Sequence, residues 1–121
     1  MHDKKYFIGK VGDHIQKKGW FFGRFMEEEL LRSDLVEVAY QDISDKNPDH
    51  NDWHYHKKSL EINIVISGQA TFKINGEKVK VGEGEFYVVY PYTTIEEFST
   101  SPNTKIIVVR APSVAGDKFT K

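Results

Sequence analysis

A chain whose apolar residues come in brief β-branched and aromatic runs, each cut short by turn residues, has few folds open to it. The clearest pair of runs here is Leu60–Ile66 and Gln69–Ile74, joined through Ser67-Gly68. Asn75-Gly76 follows at once. Asn-Gly takes the left-handed backbone that a tight hairpin needs, so it turns Ile74 back into a strand over Glu77–Val81. The same punctuation marks out Gly19–Phe25, Leu35–Ile43, Trp53–Lys57, Phe86–Tyr90, Ile95–Ser99 and Lys105–Arg110 as strands. Many short strands in close succession predict an all-β sandwich or barrel. Met26–Leu31 is the exception, and its Glu27, Glu28 and Glu29 read as an exposed turn with a solvated charge run.

At 121 residues the chain is sized for one domain, and no repeat or linker marks a boundary within it. A single domain over 1–121 is expected, with a core over roughly 35–110 and an N-terminal strand segment over 1–34. The 17 basic and 18 acidic residues balance to a net charge of -1, which argues against a nucleic-acid surface or a polybasic membrane patch. The absence of cysteine removes disulfides, thiol nucleophiles and thiolate metal sites in one step. Met1-His2-Asp3-Lys4-Lys5 is not followed by the apolar stretch of a signal peptide. The longest aliphatic run, Ile106–Val109, is far too short to span a membrane. The expectation is a cytoplasmic protein.

Chemistry concentrates in Asp52-Trp-His-Tyr-His-Lys-Lys-Ser-Leu-Glu61. Side chains alternate faces along a strand, so His54 and His56 point the same way and can share one metal ion. Glu61 lies at an odd offset from His56, which a straight strand would put on the opposite face. Lys57-Lys58-Ser59 must therefore bend or bulge the chain to bring the carboxylate back. Given that bend, His54, His56 and Glu61 make a two-His, one-carboxylate set suited to Fe(II), Mn(II), Ni(II) or Zn(II). The bland alternatives are two imidazoles that line the interior without metal, and a Glu61 that merely pairs with Lys57 or Lys58. Asn63 shares the parity of Glu61 and, facing inward, would need hydrogen-bond partners that a ligand can supply. His50 reads as an exposed residue of the polar loop Asn47–Asp52.

The spacing of these residues resembles the first motif of the cupin family: His, any residue, His, three or four residues, Glu, six residues, Gly. Here His54, His56, Glu61 and Gly68 fill every defined position. The resemblance spans roughly residues 35–110. It implies a cupin-type double-stranded β-helix, or jelly-roll barrel, with a divalent metal held inside by His54, His56 and Glu61. The second family motif is degraded. Counted from Gly84, its histidine position falls on Ile95; anchored on Pro91, it falls on Glu96. No histidine stands at either place. The segments Lys18–Gly23 and Ala111–Lys118 also look like features of small single-domain cupins.

Asn63, Tyr90 and Glu96 are the candidate ligand-binding residues, and no catalytic residue is assigned. Glu96 reads first as a surface carboxylate beside Glu97 and as a ligand only on the shifted count. Tyr90 and Tyr92 either gate the barrel mouth or pack there, while Trp20, Phe21 and Phe22 read as core or interface aromatics. The resemblance implies either an enzyme acting on a small polar molecule or a non-catalytic module binding a sugar or small organic acid. An interior plugged by Phe72, Phe86 or Tyr90 would favour the module. If Glu61, Asn63 and Val65 face inward, then Ile62, Ile64 and Ile66 face outward and need cover from the Trp20–Phe25 segment, a second sheet of the same chain or a partner subunit, of which a homodimer is favoured.

Overall fold

The computed structural model describes residues 5–43 and 53–120. Ten strands follow in chain order: β1 Trp20–Phe22, β2 Glu37–Asp42, β3 Trp53–Tyr55, β4 Leu60–Ser67, β5 Gln69–Ile74, β6 Glu77–Gly82, β7 Phe86–Val89, β8 Ile95–Thr100, β9 Lys105–Ala111 and β10 Phe119–Thr120. They form two antiparallel five-stranded sheets, ordered β1-β2-β9-β4-β7 and β10-β3-β8-β5-β6. This is the two-sheet jelly-roll barrel that the cupin resemblance implies, and it fits the all-β strand pattern. The expected loop over residues 47–52, with His50, lies outside the described residues.

Alternation decides what faces in. On β4, Glu61, Asn63 and Val65 are buried, while Ile62 and Ile64 are partly covered and Ile66 is exposed. The core is Ala39, Val65, Ala70, Phe72, Val89, Ile95, Ile106 and Val108, contributed by strands of both sheets. Phe72 is fully buried in this core and packs on Tyr87 at 4.6 Å between ring centroids. Phe86 and Tyr90 are exposed, so neither plugs the interior. Gly68, between β4 and β5, has a φ of 76°, and a side chain there would run into Thr104. Only glycine meets both conditions at little cost.

Three features depart from the pattern in the sequence. The negatively charged turn holds a short 3-10 segment, Glu29–Leu31, whose glutamates are exposed but whose flanking Met26 and Leu31 are buried. A second 3-10 segment, Val11–Lys17, precedes β1. The third is a bulge in β8. Thr71 pairs with Ser99, but Lys73 pairs with Glu96, so β8 carries one extra residue there, and Glu97 has a φ of 54°. The bulge shifts the parity of the strand, so that Ile95 and Phe98 both contribute to the lining of the interior.

Candidate functional site

The first motif works because the chain changes sheets within it. His54 lies on β3 of one sheet and Glu61 on β4 of the other. The intervening residues 56–59 make the expected bend. What holds the bend is Asp117, a residue left without a role by the sequence pattern. Its buried carboxylate accepts the backbone N–H groups of Lys57 at 3.0 Å, Lys58 at 3.0 Å and Ser59 at 2.9 Å. Burial pushes the Asp117 carboxyl up, but these three donors outweigh it and hold it below its ordinary value. The backbone carbonyl of Asp117 accepts from His56 Nδ1 at 2.6 Å. A carbonyl only accepts, so Nδ1 carries the proton and Nε2 turns toward Glu61.

His54, Glu61 and Asn63 line one cavity of about 130 Å³, together with Gln41, Arg110 and Lys118 on its polar side. Ile95, Phe98, Ile106 and Val108 form the apolar side. The two imidazoles are neighbours, with ring centroids 5.5 Å apart and planes at 75°, but His54 lines this cavity and His56 lines a second one with Glu37, Arg110 and Asp117. His56 Nε2 lies 3.3 Å from Glu61 Oε2. It is buried and outside hydrogen-bond alignment with that oxygen. Arg110 Nε donates to the same Glu61 Oε2 at 2.7 Å, and Asn63 Nδ2 donates to Glu61 Oε1 at 3.0 Å. Burial raises the Glu61 carboxyl, yet His56, Arg110 and Asn63 together hold it far below the usual carboxylate range. Glu61 therefore stays ionised and acts as an anchor rather than an acid.

The other two candidate ligand-binding residues do not reach this cavity. Glu96 pairs with Trp53 on the face opposite the His54–Ile95 pair and accepts from Trp53 Nε1 at 3.0 Å. Tyr90 is 65% exposed beyond the end of β7. The buried Ile95, opposite His54, stands where the count from Gly84 puts the family's third histidine.

The cupin domain family model matches residues 44–95 of the sequence. Over those residues the chain is similar to a cupin domain. Solved structures share its fold. Pac13 from Streptomyces, a nucleoside dehydratase also solved with uridine in variant form, is 22% identical, with a TM-score of 0.62 over 74% of this chain and 70% of that one. KdgF from a Halomonas species is 17% identical, with a TM-score of 0.54 over 69% and 74% of the two chains. EutQ from Clostridium difficile is 22% identical, with a TM-score of 0.52 over 67% and 60%. No curated protein matches the chain in sequence.

The donor set here does not fit a divalent ion as it stands. Among the described residues, no group of three His, Cys, Asp or Glu is placed to hold one. The unpartnered His56 Nε2 would suit a metal, but Glu61 already has both oxygens engaged. An ion bound to Oε2 at about 2.1 Å would sit within about 4.8 Å of Arg110 Nε. At an effective dielectric of about 20, a dication and a guanidinium at that separation repel by roughly 7 kcal/mol. Arg110 shares parity with the inward Ile106 and Val108, and Gln41 with Glu37 and Ala39, so strand alternation could have flagged both.

Proposed function

We propose that this cupin domain binds a small polar molecule, a sugar or a small organic acid, in the cavity between His54, Asn63 and Arg110. The observation that carries the reading is the convergence of six polar side chains from both sheets and the C-terminal segment on one cavity with an apolar far wall. A few placed polar groups over an apolar lining is the composition of small-molecule sites. The volume of about 130 Å³ is roughly that of four waters. The guest is therefore small, or only one end of it is enclosed. Asn63 donates its amide N–H to Glu61, which leaves its carbonyl oxygen to accept from a guest. His54 adds an imidazole that can accept or donate.

Thermal melting with hexoses, sugar acids, small carboxylic acids and uridine tests the reading. A true guest at about one hundred times its Kd should add about 2.7 kcal/mol, or roughly 10 °C in Tm. Asn63→Leu should abolish that gain. No saturable shift from any class, or a shift unaffected by Asn63→Leu, would remove this cavity as the site.

The outer face of the first sheet supports the homodimer. Ile62 pairs with Val109 and Val88, and Ile64 with Ile107 and Phe86, so their outward side chains form one apolar patch. Phe86 at its edge is 66% exposed. A two-fold axis lets such a patch bury itself against its own copy.

A further inference from the structure

We propose that the Arg110 guanidinium takes the place of a metal ion in this barrel, holding the inward carboxylates together and keeping divalent ions out. Arg110 and Glu61 are direct cross-strand partners, and so are Arg110 and Glu37 on the other side of β9. One cation therefore faces a carboxylate on each neighbouring strand. Nε donates to Glu61 Oε2 at 2.7 Å, and Nη1 lies 3.6 Å from Glu37 Oε2. Ser113 Oγ donates to Glu37 Oε1 at 2.9 Å, fixing that carboxylate from behind. The guanidinium carbon sits 4.8 Å from the centre of the Trp20 ring, so an aromatic face on β1 covers its open side.

This arrangement ties β1, β2, β9 and β4 to a single charge. An ion in a barrel joins inward donors from separate strands; here a planar fork from the middle strand joins them. Arginine suits this role because it stays charged and its geometry is fixed. The side chain that would complete an ion's coordination on the facing sheet is the apolar Ile95, which has nothing to offer a metal. His56 Nε2 lies 3.3 Å from Glu61 Oε2 and the His54 ring neighbours that of His56, so these are the donors that Arg110 holds back from an ion.

The proposal rests on the cavity being the site, but titration with metal alone reads the donors without any guest, so the two ideas fail separately. Wild-type protein, stripped with chelator and dialysed, is titrated with Zn(II) and with Mn(II) by calorimetry. No saturable uptake is expected. Arg110→Met frees Glu61, and this variant should gain about one zinc per chain, lost again in Arg110→Met/His56→Gln. Arg110→Lys keeps a cation and should stay without zinc. If Arg110→Met fails to fold, Arg110→Gln carries the same test. Saturable uptake by the wild type that His56→Gln removes would overturn the proposal, whichever variant folds. So would a folded Arg110→Met that takes up no zinc, because Arg110 would then not be what excludes the ion.

Discussion

Replacing Asp117 by alanine tests whether the bend between β3 and β4 is held by the C-terminal segment. Three backbone N–H groups lose their acceptor. Those of Lys57 and Lys58 belong to exposed residues and can turn to water. That of Ser59 cannot, because Ser59 is 2% exposed. A hydrogen bond to a charged group contributes about 1.5–3 kcal/mol net, and a buried donor left alone costs about 1–3 kcal/mol. One full loss and two partial ones come to about 4 kcal/mol. For a domain of this size that lowers Tm by roughly 15 °C. Asp117→Asn keeps one acceptor oxygen and should lose about half as much. A second readout separates this role from bulk destabilisation. The carbonyl that fixes His56 Nδ1 belongs to the same residue, so nitrogen NMR should show the His56 ring losing its single tautomer in Asp117→Ala. A Tm within about 2 °C of wild type, or an asparagine variant as damaged as the alanine one, would refute the clamp.

Acid should act through the same residue. Asp117 and Glu61 are both held below their ordinary values, so the stability that they contribute is present above the unfolded carboxylate range of about 4 and lost as pH falls through the folded values. Tm measured against pH should be flat above that range and fall below it, with a shallower fall in Asp117→Ala. Ile64→Asp, at the centre of the outer apolar patch, should convert a species of twice the 14.0 kDa chain mass in sedimentation into monomer or aggregate. A wild-type monomer at micromolar concentration would refute the dimer. Phe72→Ala should cost about 3–5 kcal/mol in denaturant unfolding, because Phe72 is 2% exposed and packs against both Tyr87 and Phe98.

The fold was legible because alternation and turn residues are local signals. Asn75-Gly76 placed one hairpin, and the parity of Glu61, Asn63 and Val65 placed the inner face of β4. The bend that returns Glu61 to the interior was legible as a necessity, though its cause was not. Asp117 lies 58 residues beyond Ser59, and no local pattern joins them. The bulge at Glu97 was equally hidden. Glu96 faces outward by plain alternation from Ile95, but the extra residue after it brings Phe98 in, and nothing in Ile95–Ser99 announces a left-handed glutamate. Arg110 was missed for another reason. It was read as the end of a strand, although its parity with Ile106 and Val108 aims it inward.

The contacts around Glu61 also govern how the chain must fold. Glu37 meets Arg110 across a 73-residue loop, Arg110 meets Glu61 across 49 residues, and His56 meets Asp117 across 61. Such closures lose chain entropy before their contacts offset it, and barrels dominated by them fold in milliseconds to seconds. The cavity is therefore assembled by pairings far apart in the sequence. A partly folded chain with its Asn75-Gly76 hairpin formed has no cavity at all, so guest binding in a refolding experiment should rise with the slowest folding phase and never ahead of it.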